Sequence, residues 1–411
     1  MVPEGWFEGR VSDLVSALEA GVSVNGENRP RKPYEKAVLK VSAVSYGYFD
    51  KNACKVISNE ELKRARINPK AGQIIISRSN TGELVGASAF IEKNYDYLFL
   101  PDKLWQIVPK SHSDMRWLSY ILSSEKLRHA LSHLATGTSG SMKNITKSEL
   151  LSLKIFIPPL PEQKKIARIL STWDKAIETV EKLINNSKAQ KKAMMQQLLT
   201  GKRRLPGFEG VWEKVCLADI CSINPKRLPC VSDTKVSFIP MDAVSEDAKL
   251  IRYDIREYSK VKQGFTSFTD GDVLIAKITP CFENGKGAYV ENLMNGIGFG
   301  STEFHVLRAK MEINSKFIYY LTNTREFRVR GETNMQGSAG QKRVTTNYLR
   351  GFKVAISSDY KEQQHIASVL TASDKEIEIL QQKLDCLKQE KKSLMQQLLT
   401  GKRRVKVDAD G

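Results

Sequence analysis

Apolar residues recur along two stretches of this chain in steps that alternate between four and three. The first series is Ile166, Leu170, Trp173, Ile177, Val180, Ile184, Ser187, Lys191, Met194 and Leu198. The second is Ile366, Leu370, Ser373, Ile377, Leu380, Leu384, Leu387, Lys391, Leu394 and Leu398. Eight of the ten positions are apolar in each series. A sustained period of 3.5 is the seam of a coiled coil. Neither stretch has an internal Gly or a Pro beyond its first turn, and both are rich in Glu, Lys, Gln, Leu and Ile, which favours helix throughout. Pro161 suits the first turn of the first helix. Gly201 and Gly401, set among Lys and Arg, suit a left-handed residue just past a negative helix end. Lys191 and Lys391 interrupt the seam at equivalent places, either fixing its register or snorkelling out at its edge.

The two helices are one repeat. The ten letters MQQLLTGKRR stand at residues 195–204 and again at 395–404. Aligned without a gap from residues 161 and 361, 22 of 44 positions are identical. Fainter echoes precede them. Trp6 with SDLVS at residues 12–16 is matched by Trp212 with ADICS at 218–222. GQIIISR at 72–78 is matched by GDVLIAK at 271–277, and GTSGSMKNIT at 137–146 by GSAGQKRVTT at 337–346. The apolar runs of the second pair predict strands after a Gly turn. DMRWLSYILSSEKLRHALSHLA and SKFIYYLTNTREFRVR predict helices before the glycine loops. The chain therefore reads as block, helix, block, helix: residues 1–157, 158–204, 205–358 and 359–411, the last with a basic tail. The predicted fold class is α+β, with two mixed α/β domains, two long helices paired as an antiparallel coiled coil, and a pseudo-two-fold internal repeat. From Ile166 to Leu198 such a helix spans about 48 Å, about fourteen base pairs of duplex.

Charge adds a partner. The formal net charge is +18, which favours a polyanion, nucleic acid first. Six cysteines make no disulfide framework; Cys216, Cys221 and Cys230 cluster loosely but form no C-x-x-C pair. The start, MVPEGWFEGRVSDLV, lacks the pattern of a secretory signal, and no apolar run approaches a membrane span, so the sequence predicts a soluble, cytoplasmic protein.

The helical repeats carry a resemblance. SLKIFIPPLPEQKKIARIL running into the heptad helix, the return of that helix after a second block, and QQLLTGKRR closing both resemble the specificity subunits of type I restriction–modification systems. The resemblance is strong over the helical repeats and extends to the whole chain in organisation. It implies two target-recognition domains, each reading one half of a bipartite, gapped double-stranded DNA site, and helices that space them. It implies two modification (methyltransferase) subunits that bind S-adenosylmethionine and methylate adenine, and two restriction subunits that use ATP and Mg. It implies no cofactor on this chain. One departure stands out: the second repeat reads FKVAISSDYKEQQHIA, without the IPPLP stretch, so the start of the second long helix is expected to bend differently.

Marks of catalysis are few. The single Pro-Pro, Pro158–Pro159, lacks the polar and aromatic neighbours of an adenine-methyltransferase loop, and no phosphate loop is present. His129 and His133 are four apart on a predicted helix, with no third metal ligand in view. The chain thus reads as a non-enzymatic subunit that binds no metal. An autonomous DNA-modifying enzyme with an unrecognised site, and a basic coiled-coil adaptor, remain the other readings. The DNA-facing candidates are Arg78 and Lys277, at equivalent ends of the two apolar strands, and Lys143, Lys342 and Arg343 in the glycine loops, where Gly lets backbone approach DNA closely.

Overall fold

A computed structural model describes residues 2–137, 142–227, 233–338 and 340–407. Parts of both glycine loops (138–141 and 339), Cys230 and the last residues of the basic tail therefore lie outside the described residues. The chain divides into two compact units, residues 1–180 with 383–411, and residues 181–382. Each unit thus holds one block, the beginning of the long helix that follows it, and the end of the other long helix.

In the first unit the predicted strand Ile74–Ser77 is central. It lies in an antiparallel sheet ordered Ser88–Phe90, Ile74–Ser77, Leu104–Pro109, Val15–Ala20. Ile74, Ile75 and Ile76 are all buried, as expected of a strand covered on both faces. A second sheet is ordered Leu98–Phe99, Ala37–Leu39, Cys54–Ile57, Gly26–Glu27, with its first pair parallel. The predicted helix after the sheets is broken in two, Met115–Ser123 and Glu125–Leu134. Asp114 caps the first by accepting from Trp117 N. Ser124 ends it: its hydroxyl donates back to Ile121 O and its backbone is extended.

The second unit repeats this frame. Its core sheet is ordered Gly287–Tyr289, Val273–Ala276, Phe304–Ala309, Cys221–Ile223, again antiparallel. Its second sheet is ordered Asp254–Glu257, Lys235–Ile239, Ile297–Gly300, Thr266–Thr269. Asn314 caps Ser315–Thr322 and Thr324 breaks it from Arg325–Thr333, as Asp114 and Ser124 do in the first unit. Both helix predictions therefore missed a hydroxyl residue that competes with the backbone.

The long helices run Leu160–Leu198 and Tyr360–Leu398, 39 residues each. Every seam position is buried or half-buried, Ser187, Lys191, Ser373 and Lys391 included. Within the first unit the helix segments are antiparallel, with Asp174 beside Lys391 and Glu162 beside Arg404. The second unit pairs Asp374 with Lys191 and Glu362 with Arg204 in the same way. The ends of the seam also serve the blocks. Ile166, Ala167, Leu170, Leu398 and Leu399 share a core with Trp117, Leu118 and Ile121. Leu198, Leu199, Ile366 and Leu370 do the same with Phe317, Ile318 and Leu321. Gly201 and Gly401 have φ of +67° and +69°, the left-handed conformation their positions after the helices call for.

The expected difference at the start of the second long helix is absent. Gln163 accepts from Asp114 N at 2.9 Å and donates to Pro158 O at 2.9 Å. Gln363 accepts from Asn314 N at 2.8 Å and donates to Ser357 O at 2.9 Å. A buried glutamine that bonds the backbone on both sides sets the start, and the prolines are not needed for it. No helix among the described residues is long and apolar enough to cross a membrane.

Candidate nucleic-acid interface

The strand-end cations and the glycine loops come together in both units. Arg78 N donates to Lys103 O, and Ile145 N donates to Arg78 O. Lys277 N donates to Glu303 O, and Val344 N donates to Lys277 O. Each cation is thus clasped between the turn that begins the next core strand and the strand leaving the glycine loop. Lys143 is in the short strand Lys143–Asn144, paired with Ser79–Asn80. Arg343 is in Arg343–Val344, paired with Met335–Gln336.

Their surroundings differ. Arg78 is half-buried, its guanidinium 5.9 Å from the Trp105 ring centroid and its Nε buried without a hydrogen-bond partner among the described residues. Lys277 lines an open cavity of about 290 Å³ with Asn224, Arg227, Thr266, Ser267 and Phe304. Its ammonium has no hydrogen bond or ion pair among the described residues. Lys342 is exposed. Arg343 is tied to Glu303, with nitrogen–oxygen distances of 2.9 and 3.0 Å, and that guanidinium holds the Glu303 carboxyl below its ordinary range. Of the candidates in the second unit, Lys277 and Lys342 therefore make no side-chain hydrogen bond or ion pair among the described residues, and Arg343 does.

Asn224, on the wall of the cavity, follows a short strand. Asn224 takes a left-handed backbone, φ +52°, one residue past Cys221–Ile223, a conformation Asn tolerates better than most residues. Its Oδ1 accepts from Val306 N at 3.0 Å, which orients the amide so that Nδ2 donates to His305 Nδ1 at 3.1 Å. His305 Nε2 donates to Val344 O at 2.8 Å. The ring is therefore neutral, and burial pushes its pKa below the ordinary 6.5. Arg227 donates to Phe265 O at 2.9 Å and lies 5.2 Å from the Phe299 ring centroid. Asn224 and Arg227 escaped the sequence reading; the turn letters INPK were the available signal.

A second missed constellation holds the helix ends. Glu162 is 1% exposed, yet its carboxylate accepts from Trp6 Nε1 at 2.9 Å and from Arg404 Nε and Nη2, both at 2.8 Å. Glu362 is 0% exposed and accepts from Trp212 Nε1 at 3.0 Å and from Arg204 at 2.5 and 2.8 Å. The final arginine of each QQLLTGKRR ending is thus the counter-ion of a buried glutamate at the start of the other long helix. Nor do the seam lysines snorkel. Lys391 Nζ is 2.5 Å from Asp174 Oδ1, and Lys191 Nζ is 2.5 Å from Asp374 Oδ1.

His129 and His133 are both exposed. No group of three or more His, Cys, Asp or Glu among the described residues could hold a metal ion. Cys221 is buried, its thiol pushed up to about 12 by burial.

A family model for the type I restriction modification DNA specificity domain matches residues 3–187 and, a second time, residues 209–389. The chain belongs to that family. Each match takes in one block and most of the long helix after it, so the family's unit is the repeat itself. Among curated relatives of this specificity-domain chain, the Escherichia coli EcoEI specificity subunit is 31% identical over 219 residues, 52% of this chain and 35% of the relative. The E. coli EcoAI specificity subunit is 34% identical over 241 residues, 54% of this chain and 41% of the relative. The chain thus spans well under half the length of these two relatives. A putative MjaX specificity subunit from Methanocaldococcus jannaschii is 24% identical over 429 residues, 98% of this chain and 95% of the relative. The fold is that of the S subunit from M. genitalium, with a TM-score of 0.59, 16% identity, and coverage of 97% of this chain and 99% of the other.

Proposed function

We propose that this chain is the DNA sequence-specificity subunit of a type I restriction–modification complex and catalyses no step itself. Each unit reads one half of a bipartite double-stranded site, the halves being separated by a gap of fixed length. Base edges are read from the sheet ends around Arg78 and Lys277, and basic residues of the glycine loops, Lys143 and Lys342, neutralise phosphates. Two modification subunits, carrying S-adenosylmethionine, and two restriction subunits, carrying ATP and Mg, assemble on the chain in the cytoplasm. The observation that supports this most is the twofold match of the DNA specificity domain. A net charge of +18 supports the polyanionic partner.

The test is to select preferred sites from random duplex libraries with the chain assembled on its modification subunits, and to map the adenines methylated. Two short defined segments flanking an undefined gap are expected. A single contiguous site, or no preference over random DNA, contradicts the proposal. Methyl transfer by the purified chain alone with S-adenosylmethionine would make it an enzyme.

A further inference from the structure

Three residues meet at one point in each unit, drawn from three separate segments. In the first unit, Asp174 of the first long helix accepts from Lys391 of the second at 2.5 Å and from the Tyr120 hydroxyl of the block at 2.5 Å. The Lys391 ammonium lies 5.4 Å from the Tyr120 ring centroid, so each member touches the other two. In the second unit, Asp374 accepts from Lys191 at 2.5 Å and from Tyr320 at 2.9 Å, the Tyr320 hydroxyl also lying 3.1 Å from Thr371 Oγ1, and Lys191 lies 5.3 Å from the Tyr320 centroid.

A lysine at a seam position that leucine would fill is not there for stability. A half-buried ion pair is worth no more than an apolar pair of the same volume, and polar seam residues lower stability while excluding other registers. Apolar contacts tolerate sliding and rotation, whereas directed bonds among three segments do not. The triangle also falls twelve residues after the Glu162 clamp, about 18 Å along the helix, so each block is held at two directional points. The blocks around the triangle differ, WLSYI at residues 117–121 against FIYYL at 317–321, yet the tyrosine and its two partners are the same.

We propose that Lys391, Asp174 and Tyr120, and likewise Lys191, Asp374 and Tyr320, are positioning residues that fix the orientation of each block on its helix pair and through it the sequence discrimination of one half-site. The inference rests on the DNA reading above. Its variant is Lys391→Leu with Asp174→Leu and Tyr120→Phe, in the full chain with its modification subunits. The expected result is a midpoint of thermal unfolding no lower than that of the parent. Discrimination at one half-site should fall about tenfold, the order of one base contact, with the other half unchanged. The mirror set, Lys191→Leu, Asp374→Leu and Tyr320→Phe, affects the other half. Unchanged discrimination, or equal loss at both halves, overturns the proposal. If the triple variant does not fold, Tyr120→Phe alone decides it: severalfold loss at the same half supports the inference, and parental discrimination overturns it. If the parent chain selects no bipartite site, the DNA reading fails and the positioning role is tested without DNA. Spin labels at His133→Cys and Lys175→Cys, in a background with Cys216, Cys230, Cys281 and Cys386 each replaced by Ser, report the block against its helix within the first unit. A distance distribution that broadens in the variant supports the role, and an unchanged width overturns it.

Discussion

Trp105 and His305 occupy the same place in the core sheets of the two units, and the chain around them diverges. Trp105 pairs with Ala20 on a six-residue edge strand, Val15–Ala20. In the second unit that edge strand is three residues, Cys221–Ile223; Asn224 turns the chain away, and His305 bonds Val344 and Asn224, the latter a lining residue of the Lys277 cavity. The second sheets diverge too. The first unit adds Gly26–Glu27 beside Cys54–Ile57, whereas the second adds Thr266–Thr269 beside Ile297–Gly300. At the other end of each unit, Glu162 and Glu362, Gln163 and Gln363, and Asp174 and Asp374 make the same contacts. The repeat is therefore held constant where a block meets the helices and varies at the sheet ends, where the proposed function has each unit read its own half-site.

The largest effect expected from breaking this comparison is at the constant end. Glu362→Ala leaves a guanidinium and an indole N–H without their acceptor, and destabilises the second unit by about 1–3 kcal/mol. Glu162→Ala does the same to the first. Hydrogen exchange on each variant should show faster opening confined to the unit that lost its glutamate, and equal opening of both units would mean that they do not melt separately.

Acid provides a smaller, one-sided perturbation. His305 is neutral in the folded chain, its pKa lowered by burial, while the unfolded chain binds a proton near the ordinary 6.5. Its contribution is therefore complete above pH 6.5 and is lost as the pH falls below it. Glu303, held low by Arg343, adds its own loss only below the ordinary carboxylate value of 4.5. The second unit should loosen first between pH 6.5 and 5, and the first, with Trp105 in that place, should not. Amide exchange against pH checks this, and His305→Gln should remove the step.

The smallest effects separate cations that look alike in sequence. Lys277→Ala should weaken DNA binding, with the salt slope falling by about one if the contact is to phosphate. Arg343→Ala should leave the slope nearly unchanged, because Glu303 already matches its charge. Equal slopes in the two variants would remove the distinction.

The periodicity of residues 166–198 and 366–398, and the glycines that end the helices, were legible because helix seams and caps are local. So were Ile74–Ser77 and Val273–Ala276, each an apolar run after a turn. The clamps were not: Trp6 and Glu162 are 156 residues apart, and Glu162 and Arg404 are 242 apart. No spacing rule links such residues. The repeated RR ending was visible as a pattern, but its reason lay in a glutamate at the far end of the other helix. The breaks at Ser124 and Thr324 were hidden by apolar periodicity that continues across them. Arg78 and Lys277 became candidates by their position in the repeat, while Asn224 and Arg227 lie where the two blocks do not correspond.

The central claim, one unit for one half-site, is tested most directly by exchange. Residues 205–358 are replaced by the equivalent block of a relative that reads a different site, with residues 1–204 and 359–411 retained. Preferred sites are then selected with the chimaera assembled on its modification subunits. The account predicts that one defined segment changes to the relative's while the other segment and the gap stay as they were. A chimaera that folds and changes both segments together, or neither, would contradict it.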